Sequence, residues 1–180
     1  GTAGVGGAIA ATAVANTTQA YVEDGTSTSD RAKIAVSNGN LEVSADEFSS
    51  AWVVSGTGAG GGTAGVGGAL SVGVNASTTQ ARIGDYTETD AAGTTSVTAN
   101  STENVNSVAI AGGGGGAAGV VGSVSVDVVV SKTEAGIGEH AKVNQNAAIT
   151  SADQSVNVSA TDRVISVAAA GSGAGGGAFG

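Results

Sequence analysis

Apolar and small residues alternate along most of the chain. Between Ala69 and Val74, Leu70, Val72 and Val74 fall on one face and Ala69, Ser71 and Gly73 on the other. The same alternation carries Ile9, Ala11, Ala13 and Ala15 earlier, and Val124, Val126, Val128 and Val130 later. Period two with frequent β-branched residues predicts strands, and no stretch shows the 3.6-residue spacing of a helix. Each alternating strand follows a glycine-rich lead-in and runs into a polar corner (Asn16-Thr17, Ser77-Thr78, Ser131-Lys132). A short strand to Val22, Ile83 or Ile137 then meets an acidic turn at Asp24, Asp85 or Glu139. A strand pair follows around Val43 and Ala45, Val97 and Ala99, or Val158 and Ala160, before the chain re-enters glycine.

This grammar is an internal repeat. A shift of 61 residues lays Gly1–Gly7 on Gly62–Gly68 without a mismatch and Thr17-Thr18-Gln19-Ala20 on Thr78-Thr79-Gln80-Ala81. A further shift of 54 lays Ala81, Ile83, Gly84 and Asp85 on Ala135, Ile137, Gly138 and Glu139. The copies are 1–61, 62–115 and 116–176, with the start of a fourth at 177–180. Repeats of 54–61 residues made only of strands and turns predict an all-β, parallel β-solenoid in one continuous segment. The repeat length suggests two or three coils per repeat, with the Val, Ile, Leu and Ala positions stacked inward. Without a recognisable cap, the segment reads as a slice of a longer array whose neighbours are further copies. The 54-residue copy lacks seven residues between its acidic turn and its Val-x-Ala strand, where the longer copies carry Ile34 and Val36, or Ile149. The excursions 25–42, 86–96 and 140–157 are therefore expected on the outer surface. On this reading, deletion of Asp30–Val36 is tolerated and Val126→Asp unfolds its repeat by burying a charge.

Composition narrows the core. The chain has 32 Gly, no Pro, Cys or Met, and five aromatic residues: Tyr21, Phe48, Trp52, Tyr86 and Phe179. Such a core must be thin, with backbones in close approach. Fifteen acids against six bases give a net charge of −9, which argues against nucleic acid as a partner. No run has the length and apolar character of a membrane-spanning helix, and none resembles a signal peptide. The lack of cysteine suits a protein exported unfolded.

No catalytic constellation emerges, and no cofactor is expected. His140, the single histidine, stands where the other copies have Gly25 and Tyr86 and reads as a surface residue. Glycine runs such as 56–62 lack the lysine and following Ser/Thr of a phosphate loop. Calcium is the one ion the acidic turns leave open, although the nonapeptide of calcium-binding β-rolls is absent. Asp24, Asp85 and Glu139 recur once per repeat, too far apart, on a multi-coil repeat, for an acid–base pair. Clusters such as Glu23-Asp24 and Asp46-Glu47 occur in single copies. Trp52 and Phe48, which stand opposite Val167 and Arg163 of the third copy, are read as filling a local widening of the core, with a contact patch as the alternative. The sequons at Asn16, Asn75, Asn100 and Asn157 leave surface glycosylation open, with Asn16 and Asn75 read as the same repeat position.

Three stretches carry a resemblance: AGVGGALSVGVNASTTQARIGD at 64–85, TSVTANST at 95–102 and SVNVSATDRVISVAAAGSGAGGGAFG at 155–180. They resemble the repeats of large bacterial exoproteins, the leukotoxin-like and filamentous-haemagglutinin-like adhesins exported by type V routes. The resemblance implies a β-solenoid stalk at the bacterial cell surface, serving adhesion to host or bacterial cells through parts outside these repeats. It transfers no binding residues.

Function is therefore expected to be structural, an extracellular stalk segment of an adhesin or exoprotein without catalysis. A self-associating filament or biofilm-matrix subunit is the first alternative. A polysaccharide-acting β-helix enzyme is the second, and would need grouped acids at one axial level.

Overall fold

The structure, a computed structural model, describes residues 2–149 and 151–177. The fourth copy's residues 178–180, Phe179 among them, lie outside the described residues. The described chain is all β: β1 (Ala3–Val22), β2 (Ala32–Val36), β3 (Leu41–Gly61), β4 (Ala64–Ile83), β5 (Thr87–Ala91), β6 (Thr94–Gly115), β7 (Ala118–Ile137), β8 (Lys142–Val143) and β9 (Ser155–Gly176). They form three parallel sheets in the orders β1-β4-β7, β2-β5-β8 and β3-β6-β9. The fold is a parallel β-solenoid, in which each strand pairs with its counterpart one repeat on.

The register fixes the winding. Ala3 pairs with Ala64 and Ile9 with Leu70, while Leu70 pairs with Val124. These partners are separated by the 61- and 54-residue shifts themselves, so each repeat is one coil rather than two or three. A repeat therefore advances the axis by about 4.8 Å, one strand spacing. What lengthens the repeat is the strands. β1 and β4 run for 20 residues without a corner at Asn16 or Ser77, and β3 for 21. Each coil is a flat loop about 65 Å long, since a strand rises ~3.3 Å per residue.

The two long sheets lie face to face, with β1 against β3, β4 against β6 and β7 against β9. At one edge only Gly62 and Thr63 separate β3 from β4. There the walls meet backbone to backbone. A Cβ on Gly4 would collide with the Gly60 carbonyl and one on Gly65 with that of Gly114, while one on Gly119 would lie 2.7 Å from the Gly175 carbonyl. The ladder continues round this edge through Thr63 N–H to Thr2 O (2.8 Å) and Ala117 N–H to Thr63 O (2.9 Å). At the far edge the walls diverge, the short sheet closes the coil, and an apolar core of Val43, Ala45, Ala81, Ile83, Val97 and Ala99 fills the gap.

This wedge reverses the expected orientation of the long sheets. In β4 the buried positions are Gly65, Gly67, Ala69, Ser71, Gly73, Asn75, Ser77, Thr79, Ala81 and Ile83. Leu70, Val72 and Val74 face outward with Ile9, and so do Val124 (54% exposed) and Val126 (41% exposed). Walls held at glycine-contact distance leave little room between them at the thin edge, so the inward positions there are mostly Gly, Ala and Ser. Val121, the inward exception, packs on Ala69, Ala109 and Ala111, and Val53 and Val105 are buried further along. Val126→Asp would thus place its charge in solvent and has no reason to unfold the coil. The expectation for Val43, Ala45, Val97 and Ala99 holds, for they are buried.

The excursions are corrected likewise. They contain the third wall: Thr87, Thr89 and Ala91 of β5 are fully buried. Ile34 and Val36 pair with Thr89 and Ala91 and are not the extra residues of the first copy. Gly25 N–H donates to Asp85 O just as Tyr86 N–H donates to Glu139 O. The first copy's insertion is therefore mostly the loop 26–31, placed before β2. In the third copy the insertion falls after β8, between Asn144 and Ser155. Removing Asp30–Val36 would delete β2 rather than an outer loop.

Candidate functional site: a polar seam inside and an apolar face outside

Halfway along the wedge, the inner positions become polar and acidic. Val97, Ala99, Ser101 and Glu103 share one face of β6, so the phase that buries Val97 also buries Glu103. Glu103 Oε1 accepts the hydroxyls of Ser77, Ser101 and Ser131, the last at 2.8 Å. Its second oxygen, Oε2, accepts no hydroxyl. In the coils on either side, Ser101 is matched by Glu47 and Asp162. Thr79 donates to Glu47 at 2.7 Å, Ser49 donates to Asn75 at 3.1 Å, and Ser166 donates to Asp127 at 3.0 Å. A seam of carboxylates and hydroxyls thus runs along the axis between the walls.

Protonation follows from these contacts. Burial raises the Asp162 carboxyl above its ordinary range, and the neighbouring Glu103 raises it further against the opposing Ser131 hydroxyl. For Glu103, burial also acts upward, but the hydroxyls of Ser101, Ser77 and Ser131 together with Asp162 outweigh it and lower its pKa. Within the pair, Asp162 is therefore the carboxyl that holds its proton the more tightly. Outside, Asn100 Nδ2 at 2.7 Å and Ser44 Oγ at 2.8 Å donate to Asp46 and lower its carboxyl.

Asp24, Asp85 and Glu139 lie one coil apart, so the distance argument against pairing them fails. Asp24 Oδ1 instead accepts Asp85 N–H (2.8 Å), and Asp85 Oδ1 accepts Glu139 N–H (2.9 Å). Arg82 adds an ion pair to Asp24 at 2.6 Å. Asp24 and Asp85 thus each cap the backbone of the next coil at the start of the corner. His140 is exposed, as expected for a surface residue, and its ring stacks on Tyr86 at 5.0 Å. Gly25 completes that column because a side chain there would strike the Tyr86 carbonyl. Among the described residues no three His, Cys, Asp or Glu side chains gather in a group that could hold a metal ion.

Two further expectations change. Trp52, paired through Asn106 to Val167, and Phe48, paired through Thr102 to Arg163, point outward, with Trp52 67% exposed. They fill no widening of the core, because outward positions of β3 alternate with the buried Ala51 and Val53. Asn16 pairs with Ser77, and Asn75 with Val14, so the two sequons are not equivalent. Asn75 is fully buried and Asn16 faces inward beside it, whereas Asn157 is exposed.

The chemistry that sequence reasoning missed is the inner seam. Its signal was that Val97, Ala99, Ser101 and Glu103 keep one period-two phase, with no Gly or Pro between them to break the strand.

A parallel β-solenoid of single-coil repeats is the class of protein that this geometry defines. No family model, no curated protein and no solved structure matches the chain. Among the described residues no helix is long and apolar enough to cross a membrane.

Proposed function

We propose that this chain is a structural segment, a stiff spacer in the stalk of an extracellular bacterial adhesin or exoprotein, and that its work is mechanical rather than catalytic. The observation that carries the reading is the one-repeat register, which runs through 20-residue strands in all three coils. Bending such a stack requires many parallel ladder bonds to give at once. The acids support the same reading: the corner carboxylates of Asp24 and Asp85 are engaged in capping the next coil, and Glu103 Oε1 is surrounded by hydroxyls. The sequence resemblance to type V-exported exoproteins supports reading the stalk as a cell-surface one.

Electron microscopy and surface labelling of the intact gene product test this. A rod that lengthens by about 4.8 Å per added repeat, with epitopes accessible on whole cells, is the expected result. A compact particle, or epitopes reached only after lysis, overturns it. The second reading, a polymer of short chains, makes coil stacking intermolecular. It predicts filaments whose mass depends on protein concentration, whereas one long chain keeps a fixed mass.

A further inference from the structure

We propose that the outer face of the β1-β4-β7 sheet is a lateral docking surface for a second copy of this chain, paired sheet to sheet. The outward columns Val5–Val66–Val120, Ile9–Leu70–Val124, Ala11–Val72–Val126, Ala13–Val74–Val128 and Ala15–Ala76–Val130 lie side by side across three coils. Not one of these positions carries a charge. Val5, Ile9, Val120, Val124 and Val130 are each more than half exposed.

Area decides that such a face needs a partner. From strand spacing and rise these columns, residues 5–15 of β1 and their partners, span about 36 Å by 14 Å. With side-chain relief the face presents roughly 600–650 Å², at or just above the largest apolar patch of a typical monomer and about four-fifths of one partner's share of a standard interface.

Charge selects the occupant. The chain carries −9, and its acids lie outside these columns, with Glu134 two outward positions beyond Val130 and paired to Lys132, so an anionic membrane or an acidic partner is repelled at close range. A second copy brings an identical uncharged face and desolvates no carboxylate. Two-fold pairing is self-complementary by symmetry, and sheets stack ~10 Å apart with their side chains interleaved. Shape offers the interleaving. Gly7, Gly68 and Gly122 form a bare column, a trough bounded on one side by the ridge of Ile9 and Leu70, into which a ridge of the facing copy fits. This pairing is lateral, so it neither requires nor competes with axial growth of the solenoid, and it stands apart from where the protein resides.

Sedimentation equilibrium of the 180-residue chain, from about 1 to 100 µM, tests it. The wild type is expected as a dimer of the 16.7-kDa chain, tightening as salt screens the like charges. The double variant Val72→Lys/Val126→Lys, at the centre of the face, is expected to weaken association by about 100-fold or more. Phe48→Lys/Trp52→Lys, on the outside of the opposite sheet, is expected to leave it unchanged. Circular dichroism confirms that each variant is folded, and Val72→Thr/Val126→Thr, which keeps strand propensity, replaces the lysine pair if it is not. A wild-type monomer across the range overturns the proposal. So does association that ignores the Val72/Val126 variants, which would point to end-to-end contacts, or a monomer that instead binds neutral phosphatidylcholine vesicles.

Discussion

Residues three positions apart on the same strand differ in what they tolerate, because only one faces the opposite wall. A methyl on Gly65 would collide with the Gly114 carbonyl, whereas one on Gly68 would meet only Gly122 O at 3.8 Å, an ordinary contact. Gly65→Ala is expected to destabilise by about 1–3 kcal/mol through overpacking, and Gly68→Ala to be neutral or stabilising by a few tenths. Chemical denaturation of the two single variants checks this, and equal effects would refute the wedge. At Asp162 the folded state holds its proton more tightly than the unfolded chain does. Its contribution is fully present below the ordinary carboxyl value of 3.8 and is lost as pH rises through the raised folded value. Asp162→Asn, which keeps the size and removes the charge, is expected to raise the melting temperature at pH 7 and to give no gain near pH 3. A gain of the same size at both values would show that the fold does not raise the Asp162 carboxyl.

At the scale of elements, strand length rather than strand number distinguishes this solenoid. The polar residues at Asn16-Thr17 and Ser77-Thr78 read as a corner because Asn, Ser and Thr favour turns, yet they lie within unbroken strands. Their inward members sit over the seam, where Ser77 donates to Glu103, so tertiary hydrogen bonding overrides local turn preference. The loops behave as the repeat arithmetic requires once strand pairs are known. Thr26 and Asp30 bond to each other, and Ser27 to Asp30, within the loop 26–31; Arg31, reaching the Thr87 carbonyl at 3.1 Å and that of His140, is its tie to the other coils. Deleting residues 26–31 would join Gly25 to Ala32 as Tyr86 joins Thr87. The expected result is a folded solenoid with a small loss of stability from Arg31, read by thermal melting. Deleting Ala32–Val36 instead removes a wall of the first coil and is expected to melt that coil.

For the whole molecule, the sequence by itself determined the repeat, its length, the all-β class and the parallel stacking of equivalent segments. Those properties follow from periodicity and from matched residues at a fixed spacing, which survive without knowledge of any distance. It also marked the apolar rows and the glycine runs. Which way the rows face was decided only in three dimensions. Period two states that Leu70 and Ser71 lie on opposite sides of a sheet, but not which side is the interior. Hydrophobicity alone would turn Leu70 inward. The separation of the walls sets the outcome instead, because glycine carbonyls meeting across the thin edge favour Gly, Ala and Ser inside, with Val121 the larger exception packed on Ala69, Ala109 and Ala111. The same distance enclosed Glu103 among serine hydroxyls, while the single strand spacing between coils turned Asp24 and Asp85 into caps for the next coil. A spacing between two walls depends on residues some fifty positions apart in the chain, and no local pattern records it.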